Sequence, residues 1–432
     1  MLNMHNCNAR MLKNEIAIHY MKCKSCILHL LPKNEMVFHN AGQRRNHMEI
    51  SRNTQGIKPS SIRKMFNKAL LYDNVISFTL GEPDFTASEN VVEAGCRAIR
   101  QGYTKYSANA GLLPLRKAIG EVLHKETGQS YDADREITVT VGAMGALYLS
   151  LKVLINPGDE VIICEPYWTN YVQQVKMCDG VPVFVICREE NHFMLDVNDL
   201  EKAITEKTKA VILNSPSNPT GGVLDMQSLE AIAQAAKKHG LAVISDEVYK
   251  TIVYDGTKAP SIASVEGMKE RTIVINSFSK GYAMTGWRVG YAAGPEEVIS
   301  NITKLQENVA ACAAMPSQYA ALEALTGPQD YKEYMVEKYK ERRDVMVTRL
   351  NAIPGMSCRA PKGTFYAFVN IRNLPLTSEE FADRLLEEKQ VVVVPGTAFG
   401  EGGEGYIRLS YATSLETIER GMDLIEEFVK TL

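Results

Sequence analysis

The chain has no long hydrophobic run, no surplus of charge and no ordered set of cysteines. No stretch approaches the roughly 18 apolar residues that a bilayer-spanning helix needs, so no membrane partner is expected. Among 432 residues, 48 basic and 51 acidic side chains leave a formal net charge of −3. A nucleic-acid surface would require a clear basic excess, so none is expected. The nine cysteines are odd in number and scattered, which excludes a disulfide framework and favours a reducing, cytoplasmic setting. Internal repeats and low-complexity tracts are absent as well. What is present is ordinary for a globular protein, with 45% hydrophobic and 23% charged residues in a chain long enough for two or three domains.

Residues 1–47 differ from the rest. They carry seven Lys/Arg against two acids, three of the nine cysteines and five of the eight histidines. Cys23, Cys26 and His29 could form half of a metal site, but no second pair with matching spacing follows, so no metal is expected. Serine is scarce and the apolar run Cys26 to Leu31 is short for a targeting signal. The segment reads as a poorly ordered extension ahead of a functional chain that begins near Met48.

From Met48 an arm leads to a helical stretch over 61–71 and an apolar strand over 75–80, which stops at the turn Gly81-Glu82-Pro83-Asp84. A polar loop containing Tyr106 precedes a helix over 113–126. Seven strand-like runs then follow, at 136–141, 160–164, 181–186, 210–213, 241–245, 272–276 and 289–293, with helical stretches at 143–154, 197–204 and 229–239 between some of them. Continuously apolar strands alternating with helices predict a mostly parallel sheet covered on both faces. In such sheets reactive groups gather beyond the carboxyl ends of the strands; Asn214 to Asn218, Asp246 and Lys280 all fall there. One long helix is expected over 301–330 and a charged one over 331–350. Short strands at 364–369, 391–394 and 407–410 and a terminal helix over 415–432 then suggest a smaller α/β domain. The expected division is 1–47 extension, 48–90 arm and part of the small domain, 91–325 large domain and 326–432 small C-terminal domain.

The chemistry centres on Val274-Ile-Asn-Ser277-Phe-Ser279-Lys280, followed eight positions later by Arg288. A lysine ending a buried strand is costly unless it is paired or reacts, and its amine condenses with carbonyls. Ser277, Ser279 and Arg288 offer donors to a phosphate. Gly142, Ala143 and Met144 sit between a strand and a helix start, where backbone N–H groups make an anion site. Asp246 follows an apolar strand, with Tyr249 three residues on; Glu247 beside it is expected to point away. Trp168 and Asn218 lie just past two further strand ends, and Arg408 sits among apolar strand residues, expensive to bury without an anion. Taken singly each has a blander reading: an Asp after a strand is commonly a cap, Asn-Pro a turn, a tryptophan core. Their joint occurrence in one order is what carries weight.

That order resembles class I/II pyridoxal-phosphate (PLP) aminotransferases of fold type I, in the branch with bacterial aspartate and aromatic enzymes, from about Met48 to the C-terminus. The resemblance implies an α/β fold with a large domain built on a mostly parallel seven-stranded sheet plus a smaller α/β domain. It implies PLP as cofactor, with Lys280, Asp246 and Tyr249 catalytic. Gly142, Ala143, Met144, Trp168, Asn218, Asp246, Tyr249, Ser277, Ser279, Lys280 and Arg288 would bind the cofactor, and Gly81, Trp168, Asn218 and Arg408 the substrate. Tyr106 would reach the neighbouring site of a homodimer. The partners implied are an L-amino acid, aromatic or apolar for preference with aspartate an option, and a 2-oxo acid such as 2-oxoglutarate. A carbon–sulfur β-lyase on the same fold is the alternative.

Overall fold

The computed structural model describes residues 48–432, position 60 excepted. The readings of Cys23, Cys26 and His29, and of 1–47 as an extension, lie outside the described residues. Thirteen strands are described: β1 Ile76–Ser77, β2 Ile137–Thr140, β3 Glu160–Glu165, β4 Val181–Ile186, β5 Thr208–Asn214, β6 Ala242–Asp246, β7 Thr272–Ser277, β8 Gly290–Ala293, β9 Ser357–Cys358, β10 Tyr366–Asn370, β11 Val391–Val392, β12 Val394–Pro395 and β13 Tyr406–Ser410.

The expected seven-stranded sheet forms in the order β2-β8-β7-β6-β5-β3-β4. It is parallel except at β8, which runs antiparallel to both β2 and β7. The strands read as continuously apolar because alternate side chains enter two different cores. Val161, Ile163, Ala210 and Ile212 pack on one face, in a cluster that holds the helix Gly142–Leu154. Ile162, Val211, Leu213 and Val243 pack on the other, with the helix Met226–His239. With both faces dry, the free end of the sheet is its carboxyl edge, where Asn214, Asp246 and Ser277 close β5, β6 and β7.

A second, four-stranded antiparallel sheet runs β12-β13-β10-β9, and β1 pairs in parallel with β11. The helices Asp330–Ala352, Ser378–Lys389 and Leu415–Val429 cover these strands through a shared core with Tyr339, Phe381 and Phe428. Every residue of β13 is buried, and Arg408 lies at its centre between Val394 of β12 and Phe368 of β10. No helix among the described residues is long and apolar enough to cross a membrane.

Three expectations need correction. The helix expected over 301–330 is two helices, Glu296–Ala310 and Met315–Thr326. The chain turns between them at Ala311, whose φ is +57°, and Pro316 sits in the first turn of the second helix, where its missing N–H does no harm. The strand over 75–80 is only Ile76–Ser77, because its partner β11 is equally short. The run 391–394 divides into β11 and β12, which pair with different strands.

Candidate active site

A cavity of about 590 Å³ opens at the carboxyl edge of the large sheet and reaches the small one. Gly81, Ala143, Met144, Trp168, Asn218, Asp246, Tyr249, Ser277, Ser279, Lys280, Arg288 and Arg408 all line it. Gly142 stands directly behind, with φ +67°; a Cβ there would come within 2.8 Å of Arg288 Nη2. Tyr106 alone among the expected residues is elsewhere, 86% exposed on the surface of its own chain.

At one end the helix Gly142–Leu154 begins with no side-chain cap, so its first N–H groups are free for an anion. Ser277 and Ser279 line the same cavity, and Arg288 is held by a 2.7 Å bond from Nη1 to the Thr285 carbonyl. Arg288 also adopts a left-handed backbone (φ +52°), a conformation that costs a non-glycine residue of order 1 kcal/mol and tends to collect at functional sites.

Asp246 is buried and accepts a 2.6 Å hydrogen bond from Tyr171 Oη. Burial pushes its carboxyl up to about 6, against the lowering effect of the Tyr171 bond. Its neighbour Glu247 does face away: it accepts from Ser245 at 2.9 Å and from Lys250 at 2.6 Å, and Lys250 also lies 3.1 Å from Glu126. Lys280 donates to the Gly81 carbonyl and is half-buried. Loss of solvation pulls its amine down to about 8, with Arg288 and Arg408 adding to the effect and Glu82 and Asp246 opposing it. Tyr249 shares a 2.9 Å bond with Tyr366, and burial raises its phenol well above the ordinary value, so it stays protonated at neutral pH.

Arg408 is 1% exposed. Nη1 donates to Asn218 Oδ1 at 3.0 Å and Nη2 to the Thr79 carbonyl at 2.8 Å, while the guanidinium lies 4.3 Å from the Tyr366 ring centre. No carboxylate among the described residues pairs with it, and Nε is buried without a partner. A buried cation in that state is poised for an anionic ligand.

The family model for aminotransferase class I and II matches residues 73–425. The chain belongs to this family. It is 46% identical to the aspartate aminotransferase of Pyrococcus abyssi, over 87% of this chain and 96% of that one. Against aromatic-amino-acid aminotransferase 2 of Thermococcus litoralis it is 43% identical, over 89% and 99%. The solved aspartate aminotransferase of Rhizobium meliloti superposes with a TM-score of 0.86 at 38% identity, covering 89% of this chain and 99% of that one. The chain is therefore a PLP-dependent aminotransferase of fold type I. These names favour transamination over the lyase alternative.

The residues fit the cofactor. PLP is a phosphate ester on a pyridine ring that bears an aldehyde and a phenolic oxygen. The cavity offers an anion cradle at Gly142, a buried acid at Asp246, a protonated phenol at Tyr249 and an amine of depressed basicity at Lys280.

Several contributors escape a reading of the sequence. Tyr171, which holds Asp246, sits in the first turn of the helix Asn170–Met177, where nothing in the local sequence marks it. Asn214 donates to the Asp246 carbonyl at 3.1 Å and accepts from the Asn218 N–H at 2.9 Å, linking two expected residues. Tyr366, Thr79 and the helix residues Ile62, Arg63 and Phe66 also line the cavity, brought there only by the tertiary fold.

Proposed function

We propose that this aminotransferase transfers the amino group of an aromatic or apolar L-amino acid to a 2-oxo acid such as 2-oxoglutarate, with Lys280 as its reacting amine. Bound in the cavity, PLP would supply an aldehyde for amines and a ring that withdraws electrons from the substrate's Cα. The Gly142–Met144 backbone, Ser277, Ser279 and Arg288 hold its phosphate, and Trp168 covers the ring. Asp246 keeps the ring nitrogen protonated, and Tyr249 and Asn218 donate to the phenolic oxygen. Arg408, with Gly81 and Asn218 alongside, holds the substrate carboxylate so that Cα–H is the bond exposed to attack, and Lys280 Nζ takes that proton.

The observation that carries this reading is Arg408, a buried cation without an acid partner in the same cavity as Lys280. The preference for apolar donors rests on Met144, an uncharged thioether lining the cavity and contacted by Asn170 Nδ2 at 3.5 Å. We also propose a cytoplasmic homodimer in which Tyr106 reaches the partner's phosphate site; its exposure in the single chain supports this. The division into a large part at 91–325 and a small one at 326–432, with 48–90 an entry arm and part of the small one, belongs to the same reading and is supported by the pairing of β1 with β11. A donor panel with 2-oxoglutarate tests the preference: kcat/KM for phenylalanine or tyrosine should exceed that for aspartate, and the reverse order overturns it.

A further inference from the structure

The helix Asn170–Met177 reaches both ends of the cofactor site. Tyr171 and Gln174, three positions apart and both buried, share one face of it. Tyr171 Oη donates at 2.6 Å to Asp246, the acid that on the proposed reading serves the ring nitrogen. Gln174 Nε2 donates at 3.1 Å to the Met144 carbonyl, in the first turn of the helix Gly142–Leu154 that forms the anion cradle. The two helices also share an apolar core, in which Tyr171, Val172 and Val175 join Ala146, Leu147 and Leu151. Packing holds the helices together, and the amide bond adds a direction to that packing.

As a purely structural contact Gln174 contributes little. It is 5% exposed, and its Oε1 is buried without a partner. An orphaned buried acceptor costs stability, about as much as the bond made by the other half of the amide contributes. The Met144 carbonyl takes only a donor, so the amide cannot turn over to satisfy its oxygen without giving up that bond. Nor does the helix ladder need it, since a helical carbonyl is served by the N–H four residues on. What the bond supplies is position. Backbone N–H groups make an anion site only when they point at one spot, and Met144 is the third residue of the cradle. Asn170 Nδ2 lies 3.5 Å and Gln174 Nε2 3.8 Å from the Met144 sulfur, so both amides of the helix converge on this one residue.

We propose that Gln174 is a positioning residue for the phosphate cradle. It holds the Gly142–Met144 backbone in register for a phosphate ester, while Tyr171 on the same helix face holds the acid at the other end. This rests on the reading that this backbone binds the phosphate of PLP. It adds a residue that does not itself line the cavity.

The test titrates the PLP-free protein with PLP and with pyridoxal, which has the same ring and aldehyde but no phosphate, and follows the visible absorbance that appears on binding. The readout is the ratio of the two Kd values for the natural chain, Gln174→Met and Tyr171→Phe. Methionine is similar in size to glutamine and leaves no amide to satisfy. Gln174→Met should weaken PLP about threefold to tenfold, the range of one neutral hydrogen bond, and leave pyridoxal unchanged. Tyr171→Phe should weaken both ligands by the same factor, because the ring is common to both. An unchanged ratio in Gln174→Met, equal losses of the two ligands in it, or a ratio that falls as far in Tyr171→Phe overturns the inference and leaves the phosphate reading intact. A natural chain that binds pyridoxal as tightly as PLP would instead overturn that reading.

Discussion

Replacing Arg408 by glutamine separates a substrate-binding cation from a structural one. Arg408 spends two donor contacts on Asn218 Oδ1 and the Thr79 carbonyl, at 3.0 and 2.8 Å, and keeps the Nε edge free. A carboxylate docked on the remaining donors makes two charge-assisted hydrogen bonds, each worth ~1.5–3 kcal/mol. Removing the fork should therefore cost roughly 3–6 kcal/mol, or between about a hundredfold and a few ten-thousandfold in kcat/KM. The assay compares an aromatic amino acid with the amine that lacks its carboxyl group, in the natural chain and in Arg408→Gln. The amino acid should lose the full factor and the amine far less, a coupling of about 3 kcal/mol. The PLP-free protein should meanwhile lose little stability. Glutamine can still donate to one of the two acceptors, and a buried unpaired charge has been taken away. A loss below about tenfold would refute the reasoning, as would equal losses for amine and amino acid.

Asp246 carries a raised pKa, so the stability it contributes is present below its ordinary value of 3.8 and is lost as the pH rises through about 6. PLP-free Asp246→Asn should match the natural chain in unfolding free energy near pH 4 and exceed it above pH 6, by up to ~3 kcal/mol; a less stable variant at pH 7 would refute this. Lys280 reacts as the free amine, so the rate at which PLP reloads the stripped enzyme should climb as the pH passes about 8 and then level. A profile that is flat from about pH 7 to 9 counts against it. Lys250→Met leaves Glu247 and Glu126 buried without their cation and should cost roughly 3–5 kcal/mol in urea unfolding. A loss under about 1 kcal/mol would mean the cluster relaxes by taking up protons.

The large sheet was legible because its inner strands are dry on both faces, so β3, β5, β6 and β7 appear in sequence as plain apolar runs. The site residues were legible where chemistry-bearing side chains interrupt those runs: Asp246 closing β6, Lys280 just beyond β7 and Arg408 within β13. What was not legible depends on distant segments meeting. Arg63 looks like any surface arginine until the helix Ser61–Ala69 is seated by Met65 and Lys68. Tyr171 has an unremarkable helical setting, and only the approach of β6 brings Asp246 to it. The break at Ala311 carried a sequence signal in Pro316, but helical propensity on both sides masked it.

The central claim is that one amine, Lys280, carries the cofactor. Borohydride reduction of the PLP-loaded enzyme, followed by peptide mass mapping, tests it most directly. The account predicts a phosphopyridoxyl adduct on the peptide containing Lys280 and on no other lysine. An unmodified Lys280, or an adduct at a different lysine, would contradict it.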